Sequence, residues 1–260
     1  MSSHSLDRAI ARVRTVFAGM TSPTETGCGR CHLPSETELL RTPDVPVPPD
    51  VLAMFGREVA DHFDDRDASI RRLLPDLVVL IASGEIDSDY GGLNSMGGIR
   101  WSEWPVEQRE AVFGFFEAWF TQALRTPPEA SAAGVSVAGP AFDQVLQTCV
   151  SALSTATPFL ALWAAEPLGS VADAHLESWV ELNTYDIIND EWPFGWWCDY
   201  SRDKPVAEVQ AWLREHASTR LRAQGADPGL LFPIDLLDLP YDDRRPALEA
   251  RDEALASEAG

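Results

Sequence analysis

Apolar positions recur along the chain at three- and four-residue steps. Leu6, Ile10, Val13 and Phe17 share one helical face. Leu52, Phe55 and Val59 repeat the pattern and are followed by His62 and Phe63. Ile70, Leu73, Leu74, Leu77 and Ile81 form a third stripe. Pro75 falls inside it, so that helix either kinks there or restarts with Pro75 in its first turn. Gly84 marks its end. The strongest element is Val106–Leu124, where Val112, Phe113, Phe116, Trp119, Phe120 and Ala123 give a wide apolar surface and predict a central helix. Further stripes run through Phe142, Val145, Leu146, Cys149 and Leu153, then Leu176 to Ile187, Val206 to Ala217 and Leu230 to Leu237. No alternating run reads as a strand. The fold class expected is all-α, with about eight to ten helices in irregular or solenoid-like packing.

Three stretches interrupt the helical period. Thr42–Pro49 is proline-rich and must be extended. Asp87–Arg100 carries Gly91, Gly92, Gly97 and Gly98. Arg125–Gly139 has a linker composition of Pro, Ala, Ser and Gly. These divide the chain into residues 1–48 (a helix, a Cys-x-x-Cys-His segment and a proline-rich arm), a helical half at 49–125, a second helical half at 139–241 and a charged tail at 242–260. The same pattern is compatible with one continuous domain. No fixed-period repeat is evident.

Composition narrows the function classes. The chain has 260 residues, 45% of them apolar, and a net charge of −21. That hydrophobicity argues for a packed protein in spite of the charge. The charge itself argues against nucleic acid and anionic membrane surfaces as partners, because no basic face is segregated. It suits a basic protein partner. Lys204 is the only lysine, against 19 arginines, a skew typical of GC-rich coding sequences. The longest apolar runs, Leu77–Ala82 and Phe159–Ala165, are far below a membrane span. Asp7, Arg8, Arg12 and Arg14 interrupt any signal-peptide-like start, so a cytoplasmic location with reduced cysteines is expected.

The sharpest chemical signal is Cys28-Gly-Arg-Cys31-His32. Two thiols at this spacing can turn both sulfurs to one tetrahedral metal, so Cys28, Cys31 and His32 are candidate ligands for a structural zinc. The fourth ligand is open; Cys149, Cys198 and His62 are candidates. Cys149 lies on an apolar stripe, where a buried thiol is the commoner reading. Cys-x-x-Cys-His also serves c-type haem attachment, which calls for export, and thioredoxin-like chemistry, which calls for the first cysteine at a helix start. Here a capping box of Ser35 and Glu38 predicts the helix start further on.

Other segments carry weaker chemistry. Trp192–Tyr200 holds five aromatic residues, readable as a ligand or partner surface or as a loop plugging the core. Tyr90–Arg100 fits no phosphate-binding glycine pattern. Gly134–Ala138 lacks the last glycine of a nucleophile elbow. Acidic clusters at Asp61–Asp67 and Asp186–Glu191 read as solvated faces, although Glu58 and His62 are spaced to share one. His175 and His216 read as core or boundary histidines.

The segments GCGRCH (27–32), GIRWSEWP (98–105), WWCDY (196–200) and LPYDDR (239–244) together resemble a group of helical actinobacterial proteins of similar length. That resemblance implies an all-α fold and brings no activity or catalytic residue with it. No complete catalytic constellation stands out. The reading is a non-enzymatic protein-interaction module. The alternatives are a metal-dependent enzyme acting on a small molecule and a thiol redox sensor.

Overall fold

The computed structural model describes residues 3–58, 62–85, 96, 99–128, 141–191 and 203–258. Among them are twelve α-helices and no strand, so the chain is all-α. The helices are α1 (Ser3–Val16), α2 (Pro34–Arg41), α3 (Pro49–Arg57), α4 (Arg66–Ser83), α5 (Val106–Leu124), α6 (Phe142–Leu153), α7 (Thr157–Ala164), α8 (Val171–Ile188), α9 (Asp203–Trp212), α10 (Ser218–Gln224), α11 (Pro228–Leu236) and α12 (Tyr241–Glu258). The count exceeds the eight to ten expected. Several helices are short: α2 and α7 have eight residues each, below what periodicity separates from loop.

The expected central helix is central. α5 packs against α1 on one side and against α6, α7 and α8 on another. Its buried side chains are Gln108, Ala111, Val112, Phe115, Phe116, Trp119, Phe120 and Leu124. The ring of Phe120 meets those of Phe142 on α6 and Phe159 on α7, at 5.6 and 5.2 Å between centroids. Trp163 on α7 packs edge-on against Phe142 and donates its indole N–H to the Ala172 carbonyl at 2.9 Å. Apolar bulk thus drives the packing, and the one polar ring atom of Trp163 is paired.

Two polar ties fix the second half. Glu208 on α9 accepts the N–H groups of Ala156 and Thr157 and the Thr155 hydroxyl. It therefore caps α7 from another helix, where the local sequence supplies no capping side chain. Arg220 on α10 pairs with Asp173 on α8 and donates to the carbonyls of Glu166 and Pro167, both at 2.8 Å. Both partners of that ion pair are buried.

Some local expectations are corrected. The Leu52–Phe63 stripe is not one helix. α3 stops at Arg57, and Glu58 is extended at φ −65°, ψ 143°. α2 begins at Pro34 rather than after Ser35. Its end is closed by Glu36, whose carboxylate accepts the Leu33 N–H at 2.6 Å, while Glu38 pairs with Arg41. Proline at a helix's first position suits this start, because its missing N–H needs no partner. α4 runs through Pro75 and ends at Gly84, which is left-handed at φ 76°. His216 is exposed, on a π-helical stretch (Leu213–Ala217) that joins α9 to α10, whereas His175 is buried and bonded to the Thr126 carbonyl. Val59, residues 87–95 and 97–98 of the glycine-rich loop, the 129–139 part of the linker, and the aromatic run Trp192–Tyr200 with Cys198 lie outside the described residues. Among the described residues no helix is long and apolar enough to cross a membrane.

Candidate metal centre

The Cys28–Cys31 segment sits on a loop between α1 and α2 that secondary structure does not hold. It is held instead by carboxylates. Glu25 is fully buried. Its Oε1 accepts the N–H groups of Gly27 and Asp64 at 3.0 and 3.1 Å. Its Oε2 accepts the Asp65 N–H at 3.3 Å and the Ser69 hydroxyl at 2.9 Å. In return Asp64 Oδ2 accepts the Thr26 N–H and hydroxyl at 2.8 and 2.5 Å. These two Thr26 donors hold the Asp64 carboxyl below the usual aspartate range, the hydroxyl bond being the larger influence. The segment 25–27 is thereby laced to the segment 64–69.

Beyond the lacing the chain turns sharply. Gly27 and Gly29 are both left-handed, at φ 68° and 60°. A Cβ on Gly27 would also lie 2.7 Å from Nδ1 of His32 and 2.8 Å from Cγ2 of Thr37, so this position excludes a side chain twice over. The turn brings the Cys31 N–H onto the Cys28 sulfur at 3.1 Å.

Cys28, Cys31 and His62 then come together. Their ligand atoms all lie within 4.8 Å of one another, in a group that could hold a metal ion. Bound zinc sets Zn–S near 2.3 Å and Zn–N near 2.0 Å, so tetrahedral ligands sit about 3.5 Å apart. Side-chain movements of about 1 Å would close the gap. Glu58 Oε2 sits against Nδ1 of His62. A carboxylate at one imidazole nitrogen fixes the ring and leaves the other, Nε2, to coordinate.

The thiols are unequal. Cys28 is held below the ordinary thiol range, first by the Arg30 N–H, then by the Cys31 N–H, with smaller help from the Cys31 thiol and His62. Cys31 is raised, chiefly by donating its S–H to Cys28.

The structure places the other sequence-predicted residues elsewhere. His32 is not part of this group. Its side chain is fully buried, 5.0 Å from the Phe55 ring and 6.3 Å from that of Phe63, with Nε2 3.4 Å from Glu58 Oε1. Cys149 is buried between α5 and α6, with its thiol 4.0 Å from the Phe116 carbonyl, and burial pushes its pKa well up. Cys28, Cys31 and Cys149 are free thiols. Sequence reasoning missed Glu25 and Asp64. Nothing in Thr-Glu-Thr-Gly signals a buried acid, and only the close approach of residues 25–27 and 64–69 reveals it. Glu58 carried a partial signal in its spacing to His62.

Elsewhere a cavity of about 200 Å³ is lined by Arg14 and Arg72 and by Asp44 and Asp76. Arg72 is already engaged there, bonding the Thr42 carbonyl at 2.9 Å and closing onto that of Val45. Comparison of the chain with family models, with curated proteins and with solved structures finds no match.

Proposed function

We propose that this protein is a non-enzymatic interaction module whose N-terminal region is fixed by a structural zinc on Cys28, Cys31 and His62. The observation that carries the reading is the convergence of two thiols and one imidazole from separate segments within 4.8 Å. Mixed sulfur and nitrogen ligands suit zinc among divalent metals. An ion there ties the loop after α1 to the link between α3 and α4. The net charge of −21 makes a basic protein the fitting partner, with an attraction that weakens as salt rises.

Native mass spectrometry and elemental analysis of protein purified without chelator test the reading. One zinc per chain is expected, lost in Cys31→Ser and His62→Ala and kept in His32→Ala. A wild-type protein free of metal, or one that keeps its zinc in the Cys31→Ser/His62→Ala double variant, overturns it. Salt-insensitive partners, or none, in a pull-down overturn the interaction role.

A second reading is favoured by the ligand count. Three protein ligands with a carboxylate behind the histidine are also the pattern of an open, catalytic zinc. Cobalt-substituted protein separates the two. An absorption spectrum that shifts on adding azide marks a position open to small anions, whereas an unchanged spectrum marks a closed structural site.

A further inference from the structure

We infer that Glu25 is a positioning residue that assembles the metal centre before metal arrives, so that metal affinity depends on a carboxylate that never touches the ion. The inference rests on the zinc reading above and names what sets the affinity of that same site.

The ligands come from separate segments of the chain. Cys28 and Cys31 belong to the loop before α2, and His62 to the link before α4. In a flexible chain, closing two such segments onto an ion costs loop entropy, and that cost is subtracted from the binding free energy. Here the closure is already made. Gly27, the residue before Cys28, and Asp64, two residues after His62, donate their N–H groups to the same oxygen, Glu25 Oε1. The other oxygen takes the N–H of Asp65, which caps α4, and the hydroxyl of Ser69 in the first turn of that helix. One carboxylate thus gathers four donors, one on the thiol side of the centre and three on the histidine side.

Position strengthens the argument. Glu25 is fully buried, so water cannot replace its bonds without opening the loop. Arg41 holds the same residue by its main chain, donating to the Glu25 carbonyl at 2.6 Å. A further crosslink, Thr26 to Asp64, lies on the exposed side, where water competes for its bonds. A glutamine at position 25 keeps the size of the side chain but replaces one acceptor oxygen with a donating NH2 group. At the Oε1 end that group faces the Gly27 and Asp64 N–H donors, and at the Oε2 end it faces the Asp65 N–H, where the Ser69 hydroxyl alone can turn to accept, so at least one bond of the lacing is lost and a donor is turned against a donor.

The test measures cobalt(II) and zinc affinity of the full chain, followed by the thiolate-to-cobalt absorption band. Outer partners of metal ligands typically set affinity by about 10- to 100-fold, so Glu25→Gln is expected to weaken binding by about that factor. The decisive control is Glu208→Gln, which alters a half-buried carboxylate cap remote from the centre. It lowers the melting temperature but leaves metal affinity within about twofold of wild type. Ser69→Ala, which removes one of the four donors and preserves the fold, is expected to weaken binding in the same direction by a smaller factor. This keeps the inference testable if Glu25→Gln does not fold. Wild-type affinity in Glu25→Gln overturns the inference and leaves the zinc reading standing. If Glu25→Gln does not fold, wild-type affinity in Ser69→Ala overturns it instead. Equal weakening in Glu208→Gln and Glu25→Gln shows a general effect of stability and overturns it as well. A wild-type protein that binds neither metal removes the zinc reading, and the inference falls with it.

Discussion

At the scale of single residues, burial sorts the described cysteines. Cys149 has no exposed surface, and its thiol is held protonated by the apolar helices around it. Cys31 is exposed and Cys28 half-buried. Iodoacetamide on the folded, metal-free protein is therefore expected to label Cys28 and Cys31 and to spare Cys149, with zinc protecting the first two. Peptide mass mapping reads the sites, and labelling of Cys149 at the same rate contradicts the packing described for α5 and α6. The pair at Cys28 and Cys31 was legible in the sequence because its spacing is itself the signal. The histidine was legible only as one choice among several: the spacing put His32 first and left His62 beside Cys149 and Cys198 as a candidate for the last ligand. Residue 32 is adjacent in the chain, yet the turn at Gly27 and Gly29 sends its ring inward onto Phe55, while residue 62 reaches the thiols through the fold. A one-dimensional spacing cannot tell which way a side chain leaves a turn.

At the scale of elements, helix periods predicted most stripes, and caps were the weak point. α5 could be read because its apolar positions are dense and regular. α3 could not be bounded, because Phe63 continues the apolar spacing after the backbone has become extended at Glu58. The start of α7 is decided by Glu208, about 50 residues away, which no local pattern reports. That cap has a measurable pH signature. Burial alone would raise the Glu208 pKa, but the Ala156 N–H, the Thr155 hydroxyl and Thr157 outweigh it and leave it lowered. A carboxyl whose folded pKa is below its unfolded one stabilises the protein above the unfolded value, near 4.3. The contribution is lost as the pH falls through the folded value. Glu208→Gln is expected to cost about 1–3 kcal/mol at pH 7. Denaturant titrations of both proteins should then converge as the pH drops below about 4; a gap that stays constant would mean the charge contributes nothing to the cap.

For the whole molecule, charge balance is the dominant fact. A net charge of −21 repels itself in the folded state, and salt relieves that repulsion. Exposed pairs such as Arg12 with Glu110 and Arg222 with Asp235 act the other way, but each is worth little. Raising the salt from about 0.01 to 0.15 M shortens the screening length from about 30 to 8 Å, so the melting temperature should rise. A fall would show that the arginine pairs outweigh the net repulsion.

The place of α5 in the chain has a consequence for biosynthesis. Its earlier partner, α1, has already been made when α5 leaves the ribosome, but the rings that cover Phe120 have not. Phe159 follows about 39 residues later, a delay of roughly 2–8 s at ordinary translation speeds of about 5–20 residues per second. For that interval α5 presents one dressed side and one bare side to the cell. Nascent chains halted within it are the form that chaperones would be called on to hold.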